Sequence, residues 1–206
     1  MKVLSLVTQK GGTGKSTFAV SMSVAAQERG LKACVLDIDP QGTAAAWFER
    51  RRDDAPEVTS MHWSHLSSQI YRLDRDGYDL AIIDTPGSDD VAASAAMREA
   101  DFCLIPVRPS IADVEAARPT LRHLIEREKS FAFVLNQCVA GGLTSRTANA
   151  FRGLQLLGCV SNITLALRTD HMDALACGLG VTERAATGKA ATETRALLEW
   201  VLNRLH

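Results

Sequence analysis

Five short apolar runs, all before residue 137, constrain the fold of this chain more than any other feature. Each run is nearly continuous rather than alternating, which is typical of parallel strands buried on both faces of a sheet. The predicted strands are 2–8, 33–37, 79–84, 102–107 and 131–136. Helices are predicted between them at 15–29, 43–52, 64–75, 89–98 and 111–128. This alternation predicts an α/β fold, with one domain over residues 1–206 and a doubly wound, mostly parallel sheet.

The composition is that of a globular protein, with 46% hydrophobic and 23% charged residues. The net charge of −1 argues neither for nor against nucleic acid, so any basic surface has to be local. No apolar run approaches the ~18 residues of a membrane span. The first predicted strand leads directly into a glycine-rich loop, so we expect no signal peptide. The five cysteines form no Cys-x-x-Cys pair, and we expect a cytoplasmic protein with reduced thiols.

A glycine-rich segment follows the first predicted strand and precedes the first predicted helix. It reads Lys10-Gly11-Gly12-Thr13-Gly14-Lys15-Ser16-Thr17. Backbone N–H groups in such a loop, together with the positive end of a helix, bind phosphate oxygens. We expect Lys15 to reach the terminal phosphates and Ser16 to offer a hydroxyl to Mg²⁺. The common form of this motif requires a glycine where this chain has Gln9, and an additional lysine, Lys10, stands just before the glycines.

Acidic residues follow two further predicted strands. The second strand leads into Asp37-Ile38-Asp39-Pro40-Gln41-Gly42, on what we expect to be a strand neighbouring the phosphate loop. Asp39 is a candidate to orient the attacking water or to help hold the metal, and a helix cap with a turn is the alternative. Asp84 ends the strand at 79–84 and is a candidate Mg²⁺ residue.

Asn136 closes the last predicted strand and could pair with a nucleobase edge. Ordinary loop polarity is the alternative interpretation. The sequence Asn-Lys-x-Asp, which is typical of guanine recognition, is absent, so adenine is favoured over guanine.

Taken together, these motifs resemble those of the ParA/MinD family of deviant Walker-A ATPases, which are P-loop NTPases. The similarity includes Lys-Gly-Gly-Thr-Gly-Lys-Ser, Asp-Ile-Asp-Pro-Gln-Gly and Tyr-Asp-Leu-Ala-Ile-Ile-Asp-Thr-Pro-Gly. It extends to Pro109-Ser110-Ile111-Ala112-Asp113, the Asn136 position and the segment 180–191. The resemblance implies ATP and Mg²⁺ as cofactors and a homodimer that forms on ATP binding.

The resemblance also implies a role for individual residues. Lys10 would reach across the dimer to the nucleotide of the partner, and Gly12 would lie where two backbones approach closely. Lys15 and Ser16 would serve the phosphates and Mg²⁺ of their own subunit. Asp39 would position water for hydrolysis, and Asp84 would be the Walker-B residue.

Within the family, the chain is most similar to short ParA-type partition proteins that lack an N-terminal DNA-reading domain. These use nonspecific DNA binding and a ParB-like or analogous adaptor that stimulates hydrolysis, which implies a nucleoid-associated location and salt-dependent phosphate contacts. Candidate DNA contacts lie in the C-terminal half, and Arg168 could instead lie near the nucleotide base. They are Arg146, Arg152, Arg168, Arg184, Lys189 and Arg195.

Two alternatives make different demands on the chain. A MinD-like membrane-associated regulator would need a C-terminal amphipathic helix with a basic face. The final helix has one apolar face, but its other charges are balanced, so we expect it to dock on the core and expect no membrane partner. The apolar positions are Leu197, Leu198, Val201, Leu202 and Leu205. A small-molecule ligase of the dethiobiotin-synthetase type would need an organic-substrate pocket, for which the sequence shows no motif.

Overall fold

The structure is a computed structural model that describes residues 1–87, 90–141 and 144–205. Within these residues, six strands form one sheet in the order β3-β2-β4-β1-β5-β6. The strands are β1 Lys2–Leu6, β2 Ala33–Asp37, β3 Glu57–Ser60, β4 Leu80–Asp84, β5 Phe102–Val107 and β6 Phe131–Leu135. Every pairing between neighbours is parallel, which confirms the predicted fold class.

Helices connect the strands and cover both faces of the sheet. They are α1 Lys15–Glu28, α2 Thr43–Arg50, α3 Leu66–Arg75, α4 Asp90–Glu99, α5 Ile111–Ala116, α6 Arg118–Glu126, α7 Ser145–Gln155, α8 Thr169–Ala176, α9 Val181–Arg184 and α10 Lys189–Leu202. A 3₁₀ turn, Trp63–His65, precedes α3. Leu4 and Leu6 of β1 join the core layer of α1 and α10, whereas Val3 and Val7 join cores on the opposite face. Both faces of β1 are therefore buried, as its unbroken apolar run predicted.

The strand order corrects one expectation about the site. We expected β2 to neighbour the strand that carries the phosphate loop, but β4 lies between β1 and β2. In the register of the sheet, Asp84 is the partner of Leu6 on one side and of Asp37 on the other. The carboxyl ends of these strands therefore meet at one edge, where ligands bind in open parallel sheets.

Local chemistry explains where the predicted boundaries were wrong. The helix predicted at 111–128 is divided into α5 and α6, because Pro119 lacks an N–H and cannot continue α5. The short strand β3 was not predicted, since Val58 is its only buried residue. Residue 89 of the helix predicted at 89–98 lies outside the described residues. Gly30 has a φ of 79° and ends α1 as a left-handed C′ residue.

The final helix docks on the core, as expected. Leu197, Leu198 and Val201 of α10, together with Leu205, are buried in the same cluster as Leu4. Of the described helices, none has the length and apolar character needed to cross a bilayer. All five cysteines are free thiols, and Cys34, Cys103 and Cys138 are buried.

Candidate nucleotide site

The glycine-rich loop connects β1 to α1 at the carboxyl edge of the sheet. Gly12 and Gly14 have φ values of 72° and 99°, a left-handed backbone that disfavours any residue with a β carbon. A β carbon at Gly14 would also overlap the amide nitrogen of Asn136. Helix α1 starts at Lys15, so the unpaired N–H groups of its first turn lie at the loop. The loop therefore has the backbone that phosphate binding requires.

Two consecutive amides after β6 brace this loop. The Nδ2 atom of Asn136 donates to the carbonyl oxygen of Thr13 at 2.7 Å, and Nε2 of Gln137 donates to that of Gly12 at 2.9 Å. From the sequence, Asn136 was a candidate for a nucleobase edge, with ordinary loop polarity as the alternative, and neither its contact with the loop nor the role of Gln137 was predicted. The contact with adenine stays a prediction. What the structure adds is that Asn136 helps to fix the shape of the phosphate loop.

Asp84 is a fully buried carboxylate beside the loop. Neither of its carboxylate oxygens meets a hydrogen-bond partner among the described residues. Burial raises the pKa of Asp84 to about 7, and the nearby hydroxyl of Ser16 and charge of Lys15 offset part of that rise. An unpartnered buried carboxylate is costly, so this position calls for a cation or for hydrogen-bond donors from a ligand.

Lys15 is the buried cation of the site, with 6% of its surface exposed. Burial lowers the pKa of Lys15, while the negative charges of Asp84 and Asp39 oppose that shift. A buried ammonium of this kind is compensated only in part by the protein, and phosphate oxygens would supply the missing negative charge.

The two aspartates of the Asp-Ile-Asp segment have different surroundings. Asp37 is fully buried, and its oxygens accept hydrogen bonds from the backbone N–H groups of Ala45 at 3.0 Å and Asp39 at 3.1 Å. Burial raises the pKa of Asp37, and these bonds limit the rise. Asp39 accepts from the N–H of Gln41 at 2.9 Å and lines the cleft. The cap of the cap-and-turn alternative thus belongs to Asp37, whereas Asp39 makes a turn contact and also lines the cleft.

The cleft at this edge has a volume of about 420 Å³, within the range of small-ligand sites. Its wall brings together residues of the loop, of the turn after β2 and of the turn after β4. They are Gln9, Gly11, Gly12, Gly14, Lys15, Ser16, Thr17, Asp39, Gln41, Thr43 and Gly87.

Lys10 is bound within its own chain. Its Nζ lies 2.9 Å from Oδ1 of Asp113, and Nε of Arg108 donates to the same oxygen at 2.9 Å. The Ser110 hydroxyl donates to the other oxygen, and Ser110 Oγ accepts from the Asp113 N–H at 3.1 Å, which caps α5. Asp113 entered the sequence prediction only as part of a family motif. The Ser-x-x-Asp spacing at a helix start was the signal that could have singled it out.

Comparison with known proteins identifies the family. A family model described as "CobQ/CobB/MinD/ParA nucleotide binding domain" matches residues 4–204. The chain belongs to this family. Maintenance of carboxysome distribution protein A of Halothiobacillus neapolitanus is 29% identical, over 92% of this chain and 91% of that protein. Protein IncC of Escherichia coli is 25% identical, over 100% of this chain and 70% of that protein.

A solved structure extends the likeness of the fold. The septum site-determining protein MinD of Pyrococcus horikoshii, complexed with Mg-ADP, has a TM-score of 0.77 and 20% identity over 97% of this chain and 95% of that one. The ParA/MinD resemblance and the P-loop fold are thereby confirmed. The expected cofactors, ATP and Mg²⁺, are those that the family uses.

The residues of the ParA/MinD site fit a metal-bound nucleotide. Asp84 offers two carboxylate oxygens without protein partners among the described residues, and Ser16 offers a hydroxyl beside them. Oxygen ligands of this kind are the ones Mg²⁺ takes in nucleotide sites, usually with water completing the shell.

The predicted DNA contacts are only partly available. Arg168 pairs with Glu193 at 2.6 Å, and Arg195 pairs with Glu28 at 2.9 Å, so both guanidinium groups are engaged within the chain. Arg184 lies in α9, 4.0 Å from the nearest carboxylate oxygen, and Lys189 is exposed at the start of α10. The DNA contacts remain predictions.

Proposed function

We propose that this chain is an ATP-dependent dimerising ATPase that binds DNA nonspecifically and positions or segregates a cargo, with hydrolysis stimulated by an adaptor. The observation that carries the proposal is the cleft lined by Lys15, Ser16 and Asp39. The buried carboxylate of Asp84, which has no hydrogen-bond partner among the described residues, lies beside Ser16 and Lys15. The relative named for carboxysome distribution supports a positioning role.

Different residues of the site serve phosphate binding, metal binding and hydrolysis. The loop N–H groups and the Lys15 ammonium bind the phosphates. Ser16 and Asp84 would hold Mg²⁺, which would neutralise charge on the phosphates. Asp39 accepts a hydrogen bond from the attacking water and orients it. This role needs a carboxylate in the cleft that no helix cap occupies, a condition that Asp39 meets and Asp37 does not.

Dimerisation would join two such clefts. Lys10 would contribute a positive charge to the triphosphate of the partner, and ATP, more negative than ADP, would favour the dimer. Exposed apolar side chains at the same edge of the sheet support an interface there: Ile111 follows β5 and Val139 follows β6. The apolar face of α10 is buried, which disfavours its use as a membrane anchor.

The test compares nucleotide states on one preparation. We expect ATP with Mg²⁺, and not ADP, to convert the monomer into a dimer in light scattering and to retain nonspecific duplex DNA at low salt. Asp39→Ala should slow hydrolysis by about 10² or more and leave a persistent ATP dimer. The exposed Asp53→Asn serves as the control for charge removal.

Three results would count against the proposal. If the Asp39→Ala variant hydrolyses ATP like the parent, Asp39 does not orient the attacking water. If the protein stays monomeric with ATP, the proposed ATP-dependent dimer is wrong. Turnover that depends on a small organic acid or amine, without DNA retention, would favour a ligase.

A further inference from the structure

The contact between Lys10 and Asp113 has a consequence that rests on the proposed function. Lys10 Nζ is 2.9 Å from Asp113 Oδ1 of its own chain, and the two side chains are 31% and 5% exposed. One ammonium group cannot lie on this buried carboxylate and also reach across a dimer to a phosphate. The lysine must therefore leave Asp113 before it can serve a partner.

Asp113 is built to hold cations firmly. Burial alone would raise its pKa, but hydrogen bonds from Ser110, Lys10 and Arg108 outweigh that effect and leave the pKa below its ordinary value. Because the carboxylate is charged and desolvated, its hydrogen bonds belong to the stronger, charge-assisted class. Lys10 is thus held in the monomer by more than a surface ion pair would provide.

Arg108 makes the release of Lys10 possible. It donates to the same Oδ1 atom at 2.9 Å, so Asp113 keeps a cationic partner after Lys10 departs. A buried carboxylate left without any partner would make release far more costly. The carboxylate thus has one fixed cationic partner, Arg108, five residues away in the chain, and one exchangeable cationic partner, Lys10.

We propose that Asp113 is an autoinhibitory anchor: it holds Lys10 in cis and competes with the nucleotide of a second copy of this chain, which raises the ATP concentration and protein concentration needed for dimerisation. The anchor acts on the dimer and leaves the affinity of the monomer for its own nucleotide unchanged.

The first test is Asp113→Asn, which removes the charge and preserves shape and the Asp113 backbone N–H that Ser110 caps. The dissociation constant of the ATP dimer should fall on the order of tenfold for each of the two lysines that a dimer frees, the scale of one charge-assisted hydrogen bond per subunit. Sedimentation in the hydrolysis-deficient Asp39→Ala background measures it. A dimer that is unchanged or weaker overturns the proposal, and a weaker one would mean that Asp113 positions Lys10 for the partner.

Two further variants test the anchor by whether dimerisation weakens or stays unchanged. Arg108→Ala leaves Lys10 as the only cation on Asp113, so the dimer should weaken by about threefold. In a Lys10→Ala background, Asp113→Asn should have no effect on dimerisation. A gain in that background would show that Asp113 acts by another route and would contradict the anchor.

A separate measurement keeps the anchor distinct from the proposed function. The rate of reductive methylation of Lys10, followed by mass spectrometry on the nucleotide-free monomer, should rise severalfold in Asp113→Asn. Unchanged labelling overturns the cis contact. A parent protein that never dimerises with ATP would contradict the proposed function, while the labelling rate would still decide whether Lys10 is held.

Discussion

Replacing Asp84 with asparagine should stabilise the ligand-free protein at alkaline pH. The folded-state pKa of Asp84 is about 7, against about 3.9 for an unfolded aspartate. The folded state therefore binds this proton more tightly, so the penalty is absent below the unfolded pKa, grows as the pH rises, and is complete above pH 7. A shift of about three pKa units corresponds to an upper bound of about 4 kcal/mol. Lys15 loses an attractive charge in the variant, so we expect a net gain of about 2 kcal/mol.

Thermal unfolding without nucleotide and with a chelator measures this gain. For a domain of this size, about 2 kcal/mol corresponds to a rise in Tm of about 4–8 °C at pH 8. At pH 5 the carboxyl of Asp84 is protonated in the folded protein, and the difference should shrink. The control is Asp53→Asn, which removes a charge that is 82% exposed and should leave the Tm unchanged. A variant at Asp84 that is less stable than the parent at pH 8, or whose effect does not depend on pH, would refute the reasoning.

Three further substitutions test the loop and its supports. Gly14→Ala should weaken nucleotide binding at least tenfold, because a β carbon there combines a left-handed φ with overlap on Asn136. The control is Gly77→Ala, at a φ of 73° in open space, which should leave nucleotide binding intact. Calorimetry compares the two variants, and equal losses of affinity would contradict the overlap. Gln137→Ala should weaken nucleotide binding about fivefold by loss of one hydrogen bond to the loop, and unchanged affinity in the same titration would mean that this brace is dispensable. Arg51→Ala should lower the free energy of unfolding by about 3 kcal/mol in denaturant titration, because Glu183 loses its ion-pair partner and the carbonyls of Ala55 and Gly178 lose a donor. A loss below about 1 kcal/mol would show that water replaces Arg51 at these groups.

The different roles of Asp37 and Asp39 follow from where each residue lies in the fold. The side chain of Asp37 ends a buried strand and turns toward the first N–H groups of α2. Asp39 lies two residues further on, where the chain has left the sheet and enters the cleft wall. A substitution at Asp37 therefore affects the start of α2 and the turn, while one at Asp39 affects the ligand.

The sequence by itself determined the elements that depend on local chemistry. Unbroken apolar runs predicted the buried strands, and the loop glycines predicted a phosphate-binding turn, because left-handed backbone and exposed N–H groups are properties of a short segment. The family resemblance followed from the same segments. The break at Pro119 was also readable, since a missing N–H acts within one turn, and it was nevertheless missed. The edge strand β3 was missed because a half-buried strand has no such pattern.

Only the tertiary structure decided how these segments meet. The position of β4 between β1 and β2 depends on long-range pairing, and it places Asp84 beside Lys15 in a buried site. The brace of Asn136 on Thr13 joins residues 123 positions apart, and the ion pair between Lys10 and Asp113 joins the phosphate loop to the first turn of α5. No local pattern encodes such contacts, because they arise when distant strand ends are brought together. The sequence identified the chemical groups of the site, and the fold decided which of them are paired and which stay free for a ligand.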